Sequence, residues 1–297
     1  MDRTFSGVMN RASRELTARV PLAAEWARRR HAVRLERYRS QLPKLAATDT
    51  ALIEELDQHG LVLRSLDDLG VPDTEAIKQC ALAWVDVLAA RTVPEGESGI
   101  SLTHAEIVDD LAIWKWGLSD RLLDLAERHI GLPVTYHGAF ANRQLADGRT
   151  VGTRQWHRDI EDRRMLKILV WLNDVPIDGG PFTYVPRELS DRVARDLRYA
   201  GGYVDDETMT RLAGPQGVRS ATGPQWTAVV VDTSRVFHRG QPPTGRERYA
   251  MTFTWTSRQP IKSMPNEPFT AAEGDRIREG LTRRQLDCLR PDLPGTT

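Results

Sequence analysis

The chain has 297 residues, 40% of them hydrophobic, with 41 basic and 41 acidic side chains and a formal net charge of zero. It is long enough for one elaborated β-sandwich or barrel with a sizeable core, and its charge balance argues against nucleic acid or an anionic membrane as partner. Two cysteines, Cys80 and Cys288, exclude a disulfide framework and a cysteine zinc site and fit a reducing compartment.

Residues 10 to 41 read as an Arg-rich helix with Pro21 as its one breaker. Its run Arg28-Arg29-Arg30 reads first as a solvated face. "TDTALIEELDQHG" predicts a helix with Thr50 as N-cap and Gly60 as stop. "LVLRSL" predicts a short strand, and "DTEAIKQCALAWVDVLAART" an amphipathic helix. "LTHAEIVDDLAIWKWGLSDRLLDLAERHIG" predicts one or two further helices, closed by Gly131. From Val134 the apolar period shifts toward two, the repeat of a half-buried strand. "MLKILVWLNDV" predicts a buried strand, and "GGPFTYVP" a turn and a strand. Residues 187–225 return to mixed helical sequence between two core strands, and insertions of this kind often cover an active site. "QWTAVVVDTSRVFH" and "RERYAMTFTWTSR" predict two strands joined by the turn "RGQPPTG". The expectation is one domain over 1–297: a helical part at 1–130 packed on a β-rich core at 134–258, with a helical insertion at 187–225. No apolar run reaches the roughly 18 residues of a membrane span. The first twenty residues lack a signal peptide's apolar core, so a cytoplasmic protein is expected.

The chemistry centres on "QWHRD", residues 155–159. A kinase loop would need an asparagine five residues after Asp159 and a glycine-rich loop upstream. Arg164 stands at the first position, and no GxGxxG occurs. A metal site makes different demands. On a strand, positions i and i+2 share a side, so His157 and Asp159 can face one cavity. Non-haem Fe(II) oxygenases hold their metal with two histidines and a carboxylate. Of the seven histidines, His31, His59, His104 and His129 fall in the helical half. His238, ending "VVVDTSRVFH", is the natural third ligand. On the next strand Arg248, Ala250, Thr252 and Thr254 share one face, opposite Tyr249, Met251, Phe253 and Trp255. An arginine on the cavity side is placed to clamp a carboxylate, and a dicarboxylate chelating the metal at its other end fits that arrangement.

His157-x-Asp159, "LKILVWLNDVPIDGGPFTYVP", His238 and Arg248 together resemble the phytanoyl-CoA dioxygenase-like branch of the Fe(II)/2-oxoglutarate-dependent oxygenases. The likeness runs from about Tyr136 to Trp255. It implies an α+β fold with a mainly β core, a double-stranded β-helix or jelly roll. It implies Fe(II) on His157, Asp159 and His238, the distal carboxylate of 2-oxoglutarate on Arg248, O2 as co-substrate, and Asn142 as a polar contact to 2-oxoglutarate. Departures are Arg187-Glu188-Leu189 after Pro186, where the family writes Gly-Ser-His, and Gly240 where it often has serine. Arg246 is the rival to Arg248, set back because it falls in the turn. The carboxylate Asp159 argues against halogenation, where relatives carry a small residue.

Hydroxylation of a small-molecule metabolite is the default expectation; desaturation, epoxidation and ring closure share its iron chemistry. The alternatives are a catalytically inactive ligand-binding jelly roll and a metallohydrolase on the same three ligands. Trp114, Trp116 and Trp156 read as core, with Trp156 behind the site. His137 reads as a core or surface residue. Lys167 reads equally as snorkelling or cavity-facing.

Overall fold

The computed structural model describes residues 21–214, 216–264 and 268–294. Of the expected first helix, residues 10–20 lie outside the described residues, and the rest forms α1 (Pro21–Tyr38). Next come α2 (Ala47–His59), β1 (Leu61–Ser65), α3 (Thr74–Ala90) and β2 (Gly99–Ser101). The stretch expected as one or two helices is three: α4 (His104–Asp109), α5 (Leu111–Trp116) and α6 (Asp120–Ile130). Side-chain caps at Thr103 and Asp110 divide it, and these two polar side chains claim backbone N–H groups that a continuous helix would use internally. Gly131 ends α6 at φ +78°, and Gly60 ends α2 at φ +82°, both as expected. Thr50 is not the N-cap of α2: the helix begins a turn earlier, after Ala46, and the Thr50 hydroxyl donates back to the Ala46 carbonyl.

The β-rich part comprises β3 (Val134–Gln144), β4 (Leu166–Trp171), β5 (Phe182–Tyr184), β6 (Arg219–Ala221), β7 (Thr227–Val231), β8 (His238–Gly240) and β9 (Arg248–Ser257). These form a six-stranded sheet, order β1-β7-β4-β9-β3-β2, and a three-stranded sheet, order β6-β5-β8. Every pairing is antiparallel. Two such sheets facing across a shared cavity make the expected jelly roll. Helices α7 (Arg187–Asp196) and α8 (Asp206–Ala213) occupy the insertion, and α9 (Ala271–Arg278) and α10 (Arg283–Asp287) follow the core. The insertion is shorter than 187–225, because β6 within it is an edge of the small sheet.

Strand β9 shows how the sequence builds the fold. Its apolar face, Met251, Phe253 and Trp255, is fully buried against the helical layer, in one cluster with Trp114, Tyr136 and Leu123. Each such side chain contributes about 1.5–3 kcal/mol by leaving water. Its other face is free to line a cavity. In β3 the register with β9 shifts between Tyr136 and Ala139. Gly138 sits there at φ +100°, and a Cβ on it would stand 2.5 Å from Trp114 Nε1. This bulge turns His137 toward the cavity.

Two local expectations are corrected. "VVVDTSRVFH" is not one strand: β7 stops at Val231 and β8 begins at His238, in the other sheet. Asp232 breaks the run. Its buried carboxylate accepts from the Ser234 hydroxyl (2.6 Å) and amide (3.1 Å) and from the Met165 amide (3.3 Å), closing a turn. The segment 241–247 therefore makes no hairpin; it carries the chain from the small sheet to the large one.

Candidate metal centre

His157 lies in an extended segment that pairs with β8 through one bridge: the His157 amide donates to the His238 carbonyl (3.0 Å) and the His238 amide returns the bond (2.8 Å). Asp159 is anchored two residues on, its amide donating to Thr233 O at 3.0 Å. The expected strand at 155–159 is thus a single bridge and a coil, but its alternation still turns both side chains inward.

The imidazoles sit 4.3 Å apart between centroids. His157 Nδ1 is 2.8 Å from the Gln155 carbonyl and His238 Nδ1 is 3.1 Å from the Val236 carbonyl. A carbonyl oxygen can only accept, so each Nδ1 carries the proton and each Nε2 presents a lone pair. Asp159 Oδ1 lies 3.7 Å from His157 Nε2 and 3.8 Å from His238 Nε2. The Phe182 ring stacks on His238 at 5.1 Å and holds it in place. Burial draws the His238 imidazole down to about 3, reinforced by His157, and so keeps it in the neutral, ligating form. Burial pushes the Asp159 carboxyl up, but Lys167, His238 and His157 outweigh it and hold it ionised, below the usual carboxylate range. Three donors from two imidazoles and one carboxylate, all within 4.8 Å of one another, suit a divalent ion of the Fe(II) type.

They open onto a cavity of about 550 Å³ between the two sheets. Arg248 lines it, and its guanidinium is buried. Nη1 donates to the Gly180 carbonyl, the Trp171 ring lies 5.6 Å away, and Nε has no partner. Among the described residues no carboxylate pairs with it. Burial, with Arg154 nearby, lowers its pKa to about 10. A buried cation without a counter-ion is costly, and an anionic ligand would relieve that cost. Gly240 makes the room: a Cβ there would come within 3.0 Å of Arg248 Nη2. Arg246 is exposed in the connecting segment and does not line the cavity. Asn142 does line it, on β3 opposite Ala250.

Lys167 faces the cavity, its Nζ 2.5 Å from Asp159 Oδ2. His137 also lines the cavity rather than the core or surface, with Nε2 2.8 Å from Thr256 Oγ1. Its signal in the sequence was the neighbouring Gly138, the mark of a bulge. Trp156 packs behind the site as expected, among Val193, Met209 and Phe237 of the insertion cluster. No residue of 187–225 lines the cavity among those described. The segment reaches the site from behind, where Tyr203 stands edge-on to His157 at 5.6 Å.

No model of a known protein family matches the chain. Over 219 residues it is 26% identical to the L-proline trans-4-hydroxylase of Streptomyces griseoviridis, covering 62% of this chain and 81% of that enzyme. Among solved structures, EctD from S. alaskensis with 2-oxoglutarate and 5-hydroxyectoine aligns with a TM-score of 0.48 at 20% identity, over 75% of this chain and 82% of that one. SnoN, the non-heme alpha ketoglutarate dependent epimerase of nogalamycin biosynthesis, aligns at 0.47 and 17% identity, over 84% and 96%.

Proposed function

We infer that this chain, an Fe(II)/2-oxoglutarate-dependent oxygenase like the phytanoyl-CoA dioxygenase branch it resembles, hydroxylates a small molecule between its two sheets. His157, Asp159 and His238 would hold Fe(II). Arg248 would take the distal carboxylate of 2-oxoglutarate, and Asn142 stands beside that path. Fe(II) bound there would supply O2 activation coupled to decarboxylation of 2-oxoglutarate to succinate.

The protein's own part is positioning. The two backbone carbonyls fix the imidazole tautomers, and Lys167 holds one carboxylate oxygen of Asp159.

The observation that supports this reading best is the unpaired, buried Arg248 in the same cavity as the three ligands. A metallohydrolase has no use for it, and an inactive binding fold has no need of an intact ligand triad. The test is succinate release from 2-oxoglutarate in air, with L-proline, the substrate of the 26% identical relative, as first candidate. Release that needs Fe(II) and vanishes in His157→Ala is expected. Tight metal binding with hydrolytic activity and no 2-oxoglutarate turnover would overturn the reading.

A further inference from the structure

The charges around the cavity do not balance, and their imbalance describes the substrate. Asp159 is the one acidic side chain among the lining residues, against two permanent cations, Lys167 and Arg248. Counting Lys, Arg and Asp side chains alone, the lining carries one net positive charge. Fe(II) and the 2-oxoglutarate dianion cancel each other, so one positive charge persists with both bound. A substrate filling the remaining space would have to bury that charge, and a buried charge needs a counter-charge.

Arg248 is committed to the co-substrate end. Lys167, already ion-paired with Asp159, is the other cation of the lining. It lies on β4, directly opposite Thr254 of β9 in the antiparallel register. Opposed residues on one sheet face have Cβ atoms about 5 Å apart, and both line the cavity. The Lys167 ammonium has three donors, and its one partner among the described residues is Asp159 Oδ2. Thr254 is 8% exposed and lines the cavity with Lys167. Along β9, Thr254 is six residues from Arg248, about 20 Å at the rise of a strand, so this pair is well separated from the co-substrate clamp.

We propose that Lys167 and Thr254 form an anion subsite, and that the substrate is a small carboxylic acid whose carboxylate docks there, beside the metal ligand Asp159. The pair supplies a charged donor and a neutral one, the usual complement for a carboxylate. This rests on the cofactor reading above.

The experiment uses the full chain loaded anaerobically with Fe(II) and 2-oxoglutarate, whose visible absorption reports the cofactors. Matched acids and amides are titrated in: L-proline and L-prolinamide, benzoate and benzamide, hexanoate and hexanamide. At least one acid should perturb the absorption, with its amide about tenfold weaker or worse, the loss expected for a charge-assisted hydrogen bond. Lys167→Met and Thr254→Val should each erase that preference. Thr254→Val is nearly isosteric and leaves the Lys167–Asp159 pair intact, so its effect is not one on the metal. Amides binding as well as acids, acids binding both variants as well as wild type, or no acid perturbing a well-formed band would each overturn the proposal. Failure of the band to form at all would instead remove the cofactor reading, and the subsite with it.

Discussion

Arg248 is a costly residue to bury unpaired, and that cost makes its removal informative. Charge-assisted hydrogen bonds contribute about 1.5–3 kcal/mol, so Arg248→Ala should weaken 2-oxoglutarate binding by roughly 10- to 150-fold while leaving metal affinity near wild type. Isothermal titration separates the two. Equal affinity for 2-oxoglutarate in the variant would assign the carboxylate elsewhere. His137 offers a test through pH. Burial, with Arg290 nearby, draws its imidazole from 6.5 to about 4 in the folded chain. The folded state therefore binds fewer protons than the unfolded one between those values. Stability from this residue is complete above pH 6.5 and is lost as pH falls toward 4. His137→Gln keeps a polar partner for Thr256, and its melting temperature should fall less steeply across that window than the wild type's. Parallel curves would locate the acid sensitivity in another group. His157, Asp159, His238 and Arg248 were all legible in the sequence, because H-x-D, a distant histidine and an arginine on a strand face are patterns of residue type and spacing. Lys167 and Thr254 were legible only as faces of their strands. That they stand opposite each other follows from β4 pairing with β9, and no local pattern encodes which strand neighbours which.

At the scale of elements, the break between β7 and β8 does the most to build the site. Apolar residues on both sides of "DTS" mimic one long strand. A buried aspartate that takes the Ser234 amide and hydroxyl for itself turns the chain instead, and so delivers His238 to the small sheet. His129 of α6 braces the turn, its Nε2 3.0 Å from Asp232 Oδ2, with Arg164 close by. Removing one member of a buried, hydrogen-bonded charged network costs about 3–5 kcal/mol. Asp232→Ala should lower the unfolding free energy, read from denaturant titration, by that amount and weaken metal binding with it, since the same turn seats His238. A variant with wild-type stability would show the turn to be held by packing alone. The helices of the N-terminal half were readable from periodicity and from Gly60 and Gly131, whose positive φ only glycine adopts without strain. Their internal divisions at Thr103 and Asp110 were not, because a polar residue inside a helical run caps only if the chain chooses to bend there.

Over the whole molecule, a helical layer buries the outer face of the large sheet and leaves its inner face to the cavity. That division was legible from the two faces of β9, and the jelly roll followed from it and from the family resemblance. The assignment of strands to sheets was not, since the connection at 241–247 reads locally as a hairpin. The described residues contain no helix long and apolar enough to cross a membrane. Because His157 comes before β4 and His238 begins β8, a metal held between them ties distant parts of the chain together. A ligand at one hundred times its Kd adds about 2.7 kcal/mol to folding stability. Saturating Fe(II) under anaerobic conditions should therefore raise the melting temperature by several degrees, and His238→Ala should abolish the rise. An equal rise in the variant would place the metal elsewhere.

The most direct measurement is anaerobic addition of 2-oxoglutarate to the Fe(II)-loaded protein, followed by visible absorption in wild type, His238→Ala and Arg248→Ala. A charge-transfer band should form in wild type, be absent without His238, and need far more 2-oxoglutarate without Arg248. Iron bound in wild type with no band at any 2-oxoglutarate concentration would contradict the account and leave a metal site of different chemistry in the same fold.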